Sequence, residues 1–109
     1  MTQDPGFVQF VIDQIDESCD MRHRMMFGGC TLYSKGKVVG LICDDRLFIK
    51  PTDAGRVFIG EPVMAPAYEG AKDSFLIEDK LEDREWLTEL VSVTEQALPK
   101  PRPRRKRIK

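Results

Sequence analysis

Residues 25–50, MMFGGCTLYSKGKVVGLICDDRLFIK, constrain the fold of this chain more than any other stretch. Three short runs rich in β-branched, aromatic and other apolar residues, CTLY, VVGLIC and RLFIK, are separated by Ser34-Lys35-Gly36-Lys37 and by Asp44-Asp45. Runs of that length broken by Gly and charged residues predict an antiparallel meander. With Lys35-Gly36 as a two-residue loop, Tyr33 faces Val38 and Cys30 faces Leu41. Cys43 then lies diagonal to Cys30 on the same face, roughly 7 Å or more away and too far for easy bridging. Strict alternation assigns Cys30, Leu32, Val39, Leu41, Cys43 and Phe48 to one face. It assigns Tyr33, Val38, Ile42, Leu47 and Ile49 to the other. Both faces are apolar and both need cover. Helices can cover one; the other needs the remaining chain or a second copy, so a homodimer built on the sheet is expected. Gly40, in the central strand, predicts a close approach by a neighbouring strand or side chain.

The flanks supply helices. Asp4-Pro5 is a good helix start, and Phe7, Val8, Val11, Ile12 and Ile15 follow at helical spacing, predicting a helix over 5–18. Its polar face is acidic, which argues against binding anionic lipid. Residues 24–27 are expected to form a short first strand, ended by a bend at Gly28-Gly29. Thr52 or Asp53 can cap a short helix reaching about Phe58, Gly60 to Gly70 reads as loop, and residues 74–78 read as a strand of the same sheet. Trp86, Leu87, Leu90, Val91, Val93, Thr94, Ala97 and Leu98 make a broad apolar stripe, predicting a helix over 81–98.

Few catalytic chemistries fit. His23 is the only histidine, and without a CxxC pair or a second histidine no metal site is indicated. The acids Glu85, Glu89 and Glu95 have the spacing of a solvated helix face rather than of a carboxylate pair. Gly28-Gly29 is no phosphate loop, since no helix with Lys and Ser or Thr follows it. No catalytic residue, cofactor or metal is therefore assigned. Three cysteines, an odd count, fit a reducing compartment better than a disulfide framework. No apolar run nears the ~18 residues of a membrane span and the N-terminus lacks a basic leader, so a soluble, cytoplasmic protein with no membrane role is expected.

Charge divides the chain in two. Residues 1–99 hold 10 Lys and Arg against 18 Asp and Glu, a net charge of −8. Lys100, Arg102, Arg104, Arg105, Lys106, Arg107 and Lys109 follow with no acid among them. Pro99, Pro101 and Pro103 keep this tail extended, and its composition predicts disorder. Its functional reading is contact with nucleic-acid phosphates, which is salt-sensitive and blind to sequence. No aromatic residue interrupts the basic run, so the tail does not indicate base stacking. A solubility tail, or a tether folding back on the acidic body, are the other readings.

Met26-Phe27-Gly28-Gly29, the following Leu32-Tyr33, a hairpin, and then Asp44-Asp45-Arg46-Leu47-Phe48-Ile49-Lys50 resemble the N-terminal domain of the TfoX/Sxy family. That family includes bacterial regulators of natural competence. The likeness in element order extends over most of residues 5–98. It implies an α+β domain without enzymatic activity, in which Gly28 and Gly29 shape a bend, Tyr33 and Phe48 pack, and Lys50 closes a strand. The competence regulators carry a second, helical domain; here the basic tail stands in its place.

These readings combine into one α+β domain over 1–98, a mainly antiparallel sheet of four or five strands between N- and C-terminal helices, and a tail over 99–109. The expected function is that of a non-enzymatic accessory or regulatory protein that contacts nucleic acid through the tail, alongside a transcription factor. The rival is a homodimeric protein-interaction module with no nucleic-acid role.

Overall fold

Two tight hairpins build the middle of the sheet. The computed structural model describes residues 5–26 and 29–99. Strands β1 (Met21–Met26), β2 (Gly29–Ser34), β3 (Lys37–Cys43) and β4 (Arg46–Ile49) pair in sequence order. Lys35 and Gly36 (φ 52° and 85°) turn β2 into β3, and Asp44 and Asp45 (φ 56° and 59°) turn β3 into β4. Positive φ at both loop residues is the geometry whose twist matches that of the flanking strands. Beyond β4 the chain forms helix α2 (Asp53–Ile59), then β5 (Val63–Pro66) and β6 (Asp73–Ile77). β6 pairs with β4 and β5 lies outside it, giving six antiparallel strands in the order β1-β2-β3-β4-β6-β5.

Helices α1 (Pro5–Asp13), α2 and α3 (Arg84–Ala97) form a single layer against the sheet. Val8, Val11 and Ile15 from the first, with Leu87, Leu90 and Val91 from the last, meet Cys30, Leu32, Ile42, Leu47, Ile49, Phe75 and Ile77 in one core. Trp86 packs on Phe58 of α2, with ring centroids 5.4 Å apart, and the Thr88 hydroxyl accepts a hydrogen bond from the Asp16 amide at the end of α1. Two residues are about 200° of helix turn. α3 therefore lies between the other two helices. This is the α+β arrangement, with helices segregated to one face of an antiparallel sheet.

α3 starts at Arg84 rather than 81, where the Asp83 carboxylate caps it by accepting from the Trp86 amide, and four further details depart from the sequence reading. α1 stops at Asp13, not Ser18, because Asp16 leaves helical geometry (ψ 145°) and its carboxylate accepts from the Ser18 amide, opening a 3-10 turn over Glu17–Cys19. That hydrogen bond, helped by the Arg84 guanidinium, holds the Asp16 carboxyl below the usual carboxylate range. β1 starts at Met21, three residues early, since Asp20 (φ 50°) reverses the chain and six residues find partners on β2. Val63–Pro66, read as loop, is an edge strand, where a terminal proline is tolerated. It raises the strand count to six.

The fourth departure changes the faces of the sheet. Tyr33 does face Val38, but the register shifts between Leu32 and Tyr33, so Leu32 pairs with Gly40 and Cys30 with Ile42 rather than Leu41. Val39 is the extra residue of a β-bulge. One inserted residue reverses every assignment beyond it. Ile42, Leu47 and Ile49 thus turn to the helices, and Leu41, Cys43 and Phe48 join Tyr33 and Val38 on the opposite face. Gly40 meets its neighbours as expected: a Cβ there would stand 2.4 Å from the Phe48 carbonyl oxygen. The Asp4 cap, Phe27 and Gly28 lie outside the described residues.

Candidate nucleic-acid interface

The cross-strand pairs define the sheet face that carries no helix. Arg22 stands opposite Tyr33, and Arg24 opposite Thr31. Leu41 stands opposite Phe48, Cys43 opposite Arg46, and Phe48 opposite Leu76. Arg22, Arg24 and Arg46 are exposed, and no carboxylate occupies a strand position of this face among the described residues. Arg22 lies 3.6 Å from Asp20, both side chains being largely exposed, an arrangement that costs little to open. Lys50 follows β4 in the same alternation.

The segment between β5 and β6 folds over part of this face. Phe48 is buried beneath it, while Tyr68 remains 59% exposed. Leu41, Phe48, Tyr68 and Ser74 line a depression of about 220 Å³, with Lys50 and Lys72 also on its lining. Neither lysine forms an ion pair among the described residues.

All seven cations assigned to the tail, Lys100, Arg102, Arg104, Arg105, Lys106, Arg107 and Lys109, lie outside the described residues. Their point of departure is defined. Lys37 Nζ sits 3.0 Å from the Glu95 carboxylate and donates to the carbonyls of Glu95 (2.8 Å) and Leu98 (3.0 Å). A cation on the last carbonyls of a helix satisfies groups that have no partner within it and favours the helix dipole. The lysine pins the end of α3 to the first residue of β3. Pro99 therefore begins beside the Lys35-Gly36 turn, at the sheet end that also carries Arg22 and Lys50.

Nothing among the described residues gathers three or more His, Cys, Asp or Glu into a metal-binding group. His23 is exposed on the edge strand β1. Cys19 and Cys30 are buried, and burial raises both thiols above their ordinary value. The three cysteines form no disulfide. No helix among the described residues is long and apolar enough to cross a membrane.

The sequence reading missed the strand-borne cations. The signal was present in the alternations Arg22-x-Arg24 and Arg46-x-Phe48-x-Lys50, but the unforeseen bulge set the second of these on the helix-covered side's opposite in the actual sheet.

One helical layer on one face of a six-stranded antiparallel sheet defines a small α+β domain. Residues 13–98 match the TfoX N-terminal domain family, and the chain belongs to that family. It is 41% identical over 109 residues to a Spirochaeta aurantia protein described as an uncharacterized 12.7 kDa protein in the trpE 5′ region. That alignment covers 100% of this chain and 95% of the relative.

Proposed function

We propose that this protein is a non-enzymatic regulator of the TfoX type that contacts nucleic acid through its basic C-terminal tail and acts alongside a transcription factor. The observation that supports this most is the Lys37 clamp on the end of α3. It fixes the start of the tail at the end of a 14-residue helix, about 21 Å long, whose N-terminal half carries Glu85 and Glu89. The tail thus starts at the end of α3 away from Glu85 and Glu89, where Glu95 is already paired with Lys37, which favours an outward role over folding back along the helix. Each phosphate neutralised releases counterions, so binding falls steeply with salt.

Fluorescence anisotropy tests the reading. Labelled DNA and RNA are titrated with the full chain and with a chain ending at Pro99, across a salt series. Binding that needs the tail and strengthens as salt is lowered supports it. Equal binding by both chains removes the tail from the mechanism, and no binding by the full chain at low salt refutes nucleic-acid contact.

A further inference from the structure

We infer that the helix-free face of the sheet is a seat for single-stranded nucleic acid, with one unpaired base lodged in the depression beside Tyr68. This rests on the nucleic-acid reading above, but assigns a different surface and a narrower ligand.

Three observations converge. The first is charge. The domain is acidic, with a net charge of −8 over residues 1–99, yet the strand positions of this face present Arg22, Arg24 and Arg46 and no carboxylate. Beyond the strands, Lys50 and Lys72 extend the row towards β6, where Glu78, following Leu76 in the same alternation, and Glu69, beside Tyr68, are the acids. With strands about 4.8 Å apart, Arg24 and Phe48 stand three strands, or roughly 14 Å, from each other. A polyanion crossing the strands meets Arg24 at one end of that path and, at the other, Arg46 and Lys50, two residues to either side of Phe48.

The second is aromatic surface. Tyr33 is half-buried opposite Arg22, and Tyr68 is more than half exposed. The tail has cations but no ring on which a base could stack; this face has both. Stacking needs bases outside a duplex, and sequence-tolerant binding of single strands combines such platforms with cations along the backbone.

The third is the size of the depression. At about 220 Å³ it is smaller than the roughly 300–1,000 Å³ of pockets that enclose a whole small ligand. Its lining is mostly apolar, with two amines and the Ser74 hydroxyl. That suits one ring of a polymer whose phosphates reach Lys50 and Lys72. A second copy suits it less, because the exposed Arg22, Arg24 and Arg46 favour a polyanion over a surface of the same net sign. Like charges brought together in that way disfavour the pairing.

The test uses fluorescein-labelled single-stranded DNA and RNA of about 12 nucleotides, within the range of known single-strand sites, and a duplex of the same length. Full-length protein is compared with Tyr68→Ala, with the pair Lys50→Ala and Lys72→Ala, and with Arg56→Ala on α2 as a control away from this face. Tyr68→Ala should weaken single-strand binding about tenfold while duplex binding, carried by the tail, holds. The lysine pair should also lower the salt slope by about 1.4, from about 0.7 per cation. Thermal unfolding of each variant guards against misfolding. Amide shift mapping of the unmodified protein is the second reading, with changes expected in β1–β4 and residues 67–72. Shifts confined to the helices, variants that leave single-strand affinity unchanged, or polyglutamate competing as well as an oligonucleotide would each overturn the inference. Duplex binding surviving in those cases would leave the tail reading standing. Dimers that dissociate with Tyr68→Ala, without loss of oligonucleotide binding, would give the face to a second copy instead.

Discussion

Replacing Lys37 with methionine should cost this domain far more stability than the loss of one charge implies. The lysine side chain is 12% exposed and that of Glu95 13%. Lys37→Met leaves a nearly buried carboxylate without its cation and the carbonyls of Glu95 and Leu98 without their donor. Removing one member of a buried ion pair costs about 3–5 kcal/mol. The residual exposure of both groups lets some water in, which sets the expectation at about 3 kcal/mol, the lower end of that range. A domain of this size loses roughly 4–8 °C per kcal/mol, so the melting temperature should fall by about 12–24 °C. Urea unfolding followed by the fluorescence of Trp86, the single tryptophan, reads the change directly. The midpoint should drop while the denaturant slope stays constant. Adding Glu95→Leu should recover part of the loss, giving a coupling of at least about 1 kcal/mol, because the second substitution removes the stranded charge. A loss below about 1 kcal/mol, the range of exposed pairs, would refute the view that the end of α3 is locked to β3.

Three further outcomes follow from the same geometry. Gly40→Ala forces a Cβ to within 2.4 Å of a backbone oxygen, so β3 and β4 must part; about 3 kcal/mol should be lost, the upper end for overpacking, measured by urea unfolding. The Asp16 carboxyl titrates below its ordinary 3.8 in the folded chain, so its contribution is complete above that value and is lost as the pH falls through the folded-state value. Asp16→Asn, which keeps an oxygen for the Ser18 amide but not the charge, should lower the midpoint slightly at neutral pH and flatten its decline below about pH 4. With a thiol reagent, half-buried Cys43 should react first, and Cys19 and Cys30 only as fast as the protein unfolds, since burial disfavours their thiolates.

The elements were legible in the sequence where local chemistry decides them. Thr52 does cap α2, its hydroxyl accepting from the Gly55 amide 2.9 Å away, and the apolar stripe of α3 supplies Leu87, Leu90 and Val91 to the core. Periodicity failed where a contact distant in sequence intervened. The Asp16 cap that ends α1 is also held by the Thr88 hydroxyl 72 residues later, and the alternation of β3 depends on a bulge that no residue type announces. Val39 is as apolar and as buried as a regular strand residue would be. Reading past it in strict twos exchanged the inner and outer residues of the next two segments. The cationic face was hidden by the same error.

The position of α3 also orders events in time. It is the centre of the helical layer, yet it comes after every strand in the chain. While a nascent chain is still short of Leu87, Leu90 and Val91, the inner face formed by Leu32, Ile42 and Ile49 lacks its main cover. Until then the emerging sheet is a substrate for chaperones and proteases, and closure of the domain is a late, concerted step rather than a gradual one. Translation that stops early yields a sticky sheet, not a smaller version of the fold.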